Sequence, residues 1–209
     1  MKSLRIALIL AAAAALSACS GGHGGLVTRA DSNEMPLLGS MMGEHAPVPL
    51  NPSYKVTGIE VTVPQTLTTS EENSIKPRVD LLWQGEPLGD RHAQVDAIVT
   101  EALTAGVAGL DGARAVKIEA VVTRFHALTM RTRYSIGGEH EIWMVMAIRD
   151  AETGELLEPA REIGFDLPVS PAEALANEAN GIYQKDEIEA AIREMIRYEI
   201  TRPRDFLQG

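Results

Sequence analysis

The chain has 209 residues, 45% apolar and 23% charged, the balance of a folded globular protein; wholesale disorder and fibrous repeats are excluded. Aromatic residues make up only 4%, and 29 acidic against 19 basic residues give a net charge of −10. Nucleic acid therefore finds neither stacking platforms nor electrostatic attraction, and the single cysteine excludes an internal disulfide.

Residues 1–18 open with Lys2 and Arg5, continue uncharged from Ile6 to Ala15, and close on Leu16-Ser17-Ala18. Those are the positive, apolar and small-residue zones of a secretory signal. The apolar run is too short for a bilayer core, which takes roughly 20 residues. Leu16-Ser17-Ala18-Cys19 resembles the lipobox of bacterial lipoprotein signal peptides, in which the cysteine becomes the first mature residue. The resemblance implies a diacylglycerol on the Cys19 thiol and an acylated amino terminus. Two or three acyl chains hold a protein at a membrane where one is marginal. Losing Lys2 and Arg5 with the signal takes the net charge from −10 to −12. Ser20 stands where an aspartate would signal inner-membrane retention, so the sorting rule of that family implies the outer membrane, facing the periplasm.

Glycines and prolines crowd residues 20–53 without helical or strand periodicity, which predicts a flexible linker. Gly22-His23-Gly24 has neither a strand before it nor a helix after it, so it is no nucleotide loop. Tyr54–Val63 alternates with β-branched residues and is a predicted strand ended by Pro64. Residues 64–77 read as a loop, and Val79–Trp83 as a short edge strand. Asp90 is a candidate N-cap, after which Val95, Ile98, Val99, Ala102, Leu103 and Val107 recur at helical spacing up to Gly109 and Gly112.

Ala115–Leu128 places Val116, Ile118, Ala120 and Val122 on one face, with Lys117, Glu119 and Thr123 on the other. A hairpin centred near Arg133 leads into Ile142–Ile148, apolar on both faces as in a strand covered on both sides. Asp150–Gly154 is a tight turn, and Arg161–Leu167 buries Ile163, Phe165 and Leu167. Ser170-Pro171-Ala172-Glu173 combines a capping box with a first-turn proline, which starts a short helix broken at Asn180-Gly181. A longer helix over Gln184–Thr201 buries Ile188, Ile192, Met195 and Ile196 before Pro203. The expected fold is α+β: a mixed, mostly antiparallel sheet in the order β-β-α-β-β-β-α with helices packed on it. The expected organisation is a signal peptide (1–18), a lipidated N-terminus and linker (19–53), a periplasmic domain (54–203) and a tail (204–209).

A search for chemistry yields no catalytic set. The five histidines form no H-x-x-x-H pair; His126 and His140, flanking the predicted hairpin with Glu139 or Glu141, are the nearest approach to a metal site, and the plainer reading is polar residues at strand ends. No G-x-S-x-G elbow occurs, and the one thiol is the acylated one. No cofactor is expected. Arg124, Arg131 and Arg133 form a basic cluster in an acidic chain, read as a solvated hairpin tip paired with Glu139 and Glu141; the alternative is contact with an acidic partner or lipid head group. Trp143 is expected in the core and Trp83 half exposed.

Val79–Trp83, Pro87-Leu88-Gly89-Asp90 and the strand closing on Phe125 resemble small periplasmic lipoproteins that are auxiliary components of ABC-type intermembrane transport systems. Leu88-Gly89-Asp90-Arg91 and Val122-Thr123-Arg124-Phe125-His126-Ala127-Leu128 are similar to an uncharacterised family of alphaproteobacterial lipoproteins, a domain of unknown function covering about residues 54–202. The resemblance implies a non-enzymatic envelope protein with a membrane contact through its lipid and an envelope protein partner. An alternative is a carrier holding a lipid or other apolar ligand in a sheet-helix groove lined by Met144, Met146, Ile192 and Met195.

Overall fold

A computed structural model of the chain describes residues 53–202. The signal peptide, Cys19, the linker up to residue 52 and the tail lie outside the described residues. In chain order the elements are β1 (Tyr54–Thr62), β2 (Leu81–Leu82), α1 (Arg91–Val107), β3 (Arg114–His126), α2 (Met130–Ser135), β4 (Gly138–Asp150), β5 (Leu156–Val169), α3 (Pro171–Ala179) and α4 (Gln184–Thr201).

Strand alternation and two crossovers produce a mixed sheet in the order β1-β3-β4-β5. β1 runs parallel to the first half of β3, from Tyr54 against Arg114 to Thr62 against Val121. The two-residue β2 pairs parallel with the end of β3, Leu81 against Phe125 and Leu82 against His126. β3, β4 and β5 form an antiparallel meander. Pro159 and Pro168 interrupt β5, the edge strand, where a missing N–H blunts further pairing. This is the expected α+β architecture, with one added element.

The addition is α2, which replaces the expected hairpin near Arg133. Thr129 Oγ1 caps it by accepting from the Thr132 N–H at 3.1 Å, and Gly137 (φ 72°) turns the chain back into β4. The antiparallel pairing of the flanking strands is unaffected, because the β3–β4 ladder closes with His126 against Glu141.

Val116, Ile118, Ala120 and Val122 of β3 face α1 and α4 together with Ile142, Met144, Met146 and Ile148 of β4. From α1 the buried side is Val95, Ile98, Val99, Ala102 and Leu103; from α4 it is Ile188, Ile192, Ile196 and Ile200. The two helices approach so closely that a Cβ on Gly106 would lie 2.3 Å from Ile196 Cγ2. The opposite sheet face holds a small apolar cluster of Val121, Val145, Ala147 and Leu156. β4 is therefore buried on both faces as expected, with the main core on the helix side.

The tryptophans exchange their expected places. Trp83 is fully buried, edge-to-face with Phe125 at 6.0 Å, and its indole N–H donates to Glu86 at 3.0 Å. Trp143 is only half-buried: its ring lies against Gly164, where a Cβ would come within 2.6 Å, and its N–H donates to exposed Asp166. Alternation along β4 puts Trp143 on the outer face with Val145 and Ala147, while Ile142 and Met144 face the core. A bulge in β3 between Val122 and Arg124 turns Arg124 outward opposite Trp143 and brings Phe125 into the core beside Trp83.

Both described termini meet at one end of the domain. The Ser53 carbonyl accepts from Arg114 N–H, Tyr54 donates to Glu158, and Arg161 bonds Glu199 in the last turns of α4. The far end, roughly 40 Å away along the 13 residues of β3, gathers the start of α1, α2, the start of β4, α3 and the start of α4. Among the described residues no helix is long and apolar enough to cross a membrane.

Candidate functional site

The far end carries the polar groups that the sequence made conspicuous. Arg133, on α2, is not a solvated tip; its side chain has no solvent exposure. Its guanidinium forks onto Glu187 of α4, Nη1 to Oε2 at 2.8 Å and Nη2 to Oε1 at 3.1 Å, and Nε donates to Glu178 of α3 at 3.1 Å. Tyr134 adds a hydrogen bond to Glu178, and the Asn177 amide one to Glu187. The cluster thus ties α2, α3 and α4 together. A charge taken this far from water is tolerated only when paired and fully hydrogen-bonded, and the fork satisfies both demands.

Burial pushes the Glu187 carboxyl up, but His140, Arg133 and Asn177 outweigh it and hold the carboxyl at about 2. His140 Nε2 is 3.8 Å from Glu187, beyond hydrogen-bond length, so the Arg133 fork and the Asn177 amide are the formed contacts. His140 is fully buried and its Nδ1 accepts the Leu128 N–H at 3.2 Å, which places the ring proton on Nε2. Burial lowers its pKa and keeps the ring neutral.

His126 occupies the other face of the sheet. It pairs across the ladder with Glu141, whereas His140 is the next residue along β4 and projects oppositely. Its Nε2 stands 3.0 Å from the Pro77 carbonyl, an acceptor, so that nitrogen is the donor. Burial again lowers its pKa, against the opposing pull of the carbonyl. Glu141 binds Lys76 and Arg124. The two imidazoles are thereby separated and the carboxylate between them is engaged by cations. Of the arginine cluster, Arg124 keeps the expected Glu141 partner, Arg131 is exposed, and Arg133 faces the interior. Sheet geometry scatters what the sequence placed together.

A strap from Pro64 to Asp80 folds over this end and is held mostly by its backbone carbonyls. Thr129 donates to Ser74, Thr132 to Ile75 and His126 to Pro77, while the Arg131 N–H donates to Asn73. Arg91, buried at the start of α1, forks onto Glu71 at 2.7 and 2.8 Å and also reaches the Glu86 and Pro87 carbonyls. Asp90 caps α1 through Ala93 N–H at 3.1 Å. The Leu88-Gly89-Asp90-Arg91 segment is thus the clamp joining strap, Trp83 turn and helix. Between strap and α2 lies a cavity of about 480 Å³, with Ile75, Ile136 and Leu128 as apolar walls and His126, Lys76 and Glu139 as polar ones.

Sequence reading missed Glu178, Glu187 and Glu71 as partners. Glu187 carries a faint signal: it sits in the first turn of α4, where a carboxylate suits the helix dipole, one position before the core residue Ile188. Met144, Met146 and Ile192, proposed walls of an apolar groove, have no exposure at all, and Met195 is half-buried against the same core. The space between sheet and helices is filled by these side chains.

Residues 54–208 match the model of a family of unknown function. No curated protein matches the chain. Among solved structures, it is similar to XCC0632 from Xanthomonas campestris, of the DUF330 family (11% identity, 75% of this chain and 90% of that one, TM-score 0.42). It is also similar to a PelC dodecamer subunit from Paraburkholderia phytofirmans (10%, 75% and 91%, 0.35). A third is described as a "putative lipoprotein" from Caulobacter crescentus CB15 (17%, 50% and 79%, 0.27). At such distances no residue role transfers.

Proposed function

The chain belongs to that family of unknown function, DUF6778, and we propose that this member is a lipid-anchored outer-membrane protein whose periplasmic domain acts without catalysis. Its role in this reading is that of an accessory or scaffolding component of an envelope transport or maintenance complex. One observation carries the proposal: the only cysteine of the chain, Cys19, stands directly after a charged, apolar and small-residue leader ending Leu16-Ser17-Ala18. The domain's own chemistry is compatible with it. Arg133, Arg91, Glu187 and Glu141 are all engaged in ion pairs that join elements of the fold.

The test is mass spectrometry of the mature N-terminal peptide from the full chain expressed in a Gram-negative host, beside density fractionation of its envelope. The expected result is a chain beginning at Cys19 with added acyl mass, co-sedimenting with the outer membrane, and a Cys19→Ala chain released to the soluble fraction. An unacylated Cys19 in a mature chain would overturn the anchor.

A further inference from the structure

We propose that the far end of the domain is a docking surface for a protein segment bearing apolar side chains flanked by Lys or Arg. Exposed large apolar residues are distributed unevenly. Among the described residues only Tyr198, stacked with Arg202, is exposed near the tethered end. Ile75, Met130, Ile136, Leu175, Ile182 and Tyr183 are all 38–66% exposed at the far end. Such clustering is the ordinary mark of an interaction surface, whereas scattered single residues mean little. The cavity of about 480 Å³ between Ile75 and Ile136 opens within this set and supplies the recess that an anchoring side chain needs.

Two observations identify the occupant. The chain leading to Cys19 leaves the domain at Ser53, at the opposite end of β3, so the apolar end points away from the tether. Its charge is also wrong for an anionic lipid surface. Lys76, Arg124 and Lys185 share Glu141 and Glu86 and keep one positive charge between them, which leaves Glu72, Asp90, Glu139, Glu173 and Asp186 against that charge, Arg78 and Arg131. An acidic rim around an apolar recess selects a basic, apolar protein segment, and a second copy with the same rim is repelled.

This inference rests on the anchored-accessory reading, and the test separates the two. A photoreactive amino acid is placed at Ile136, at Leu175 or, as control, at Tyr198 of the full chain in cells, with and without Glu72→Lys plus Glu139→Lys. Both glutamates are exposed, so the reversal leaves folding intact, checked by circular dichroism. The expected result is a discrete protein adduct from Ile136 and Leu175 and none from Tyr198. The charge reversal should cut that adduct on the order of threefold or more, because rim charges govern encounter. The partner peptide recovered should contain apolar residues and Lys or Arg. Absence of adducts, an adduct of twice the chain's own mass, a phospholipid adduct, or one indifferent to charge reversal would each overturn the proposal. The same cells report Cys19 acylation. An unmodified Cys19 with adducts intact sinks only the anchor, whereas an acylated Cys19 without adducts sinks only the docking surface.

Discussion

Replacing Arg133 by methionine removes the one cation that Glu187 faces inside the protein. Two routes give the magnitude. The Glu187 carboxyl is held at about 2 against an ordinary 4.5, a difference of roughly 3 kcal/mol in favour of the charged form. Breaking one partner from a buried pair costs about 3–5 kcal/mol, since the survivor is left uncompensated. The first figure is shared with His140 and Asn177 and the second belongs to the pair itself; on the latter, Arg133→Met should lose about 3 kcal/mol at pH 7, a Tm decrease on the order of 10 °C for a domain of this size. The pH dependence makes the test specific. In the parent the Glu187 contribution is present above pH 4.5 and is lost as pH falls toward 2, because the folded carboxyl is the stronger acid. In Arg133→Met the carboxyl is buried without its cation, its pKa moves up, and acid relieves it. The stability gap between the two proteins should therefore narrow below pH 4.5. Urea unfolding of Cys19→Ala chains from pH 7 to pH 3 measures both quantities. A further Glu187→Met replacement should recover much of the loss, because an apolar pair can fill the site of an ionic one. An Arg133→Met protein as stable as its parent, or a gap that does not change with pH, would refute this account.

Three further outcomes follow from the packing. Gly106→Val drives a side chain into Ile196 and the Arg193 carbonyl, 2.3 and 2.9 Å from the first added carbon; thermal unfolding should show a loss of about 1–3 kcal/mol, partly regained with Ile196→Ala. Ser170→Ala removes the hydroxyl that accepts from Glu173 N–H at 3.2 Å and should cost about 1 kcal/mol, with the capping box of α3 visibly frayed in amide exchange. His126 and His140 are both held neutral by burial, with pKa values below the ordinary 6.5. Unfolded chains take up those protons first, so stability is full above pH 6.5 and declines as pH falls below it; a flat profile between pH 7 and 5 in urea melts would contradict their burial.

Local signals in the sequence were sufficient for most of the fold. Ser170 and Glu173 form the capping box that their spacing announced, and α4 runs from Gln184 to Thr201 as its apolar period required. Alternation on β3 correctly separates Val116, Ile118, Ala120 and Val122 from Lys117 and Glu119. Long-range facts were not legible. The bulge at Thr123 reverses no pattern in the sequence, yet it decides where Arg124 and Phe125 point. Arg133 carries no local mark of burial, because its carboxylates arrive 45 and 54 residues later. Trp83 reads as half exposed beside Gly85 and Pro87; in fact the ring covers the glycine, whose Cβ would stand 2.3 Å from it. The candidate recess was hidden for the same reason: strap, α2 and β4 converge there from distant parts of the chain.

The placement of α4 also governs when the domain can exist at all. A growing or translocating polypeptide presents β1 first and α4 last, after every strand has emerged. Until those eighteen residues arrive, the sheet lacks half of its apolar cover and a guanidinium on α2 has nowhere dry to go. Partial chains therefore gain little from early collapse, and non-local closure comes late. The same helix that completes the core supplies the counter-charge, which couples two requirements into one event and favours an all-or-none transition over a half-built intermediate. If the chain is exported as proposed above, that delay keeps it unfolded for the crossing.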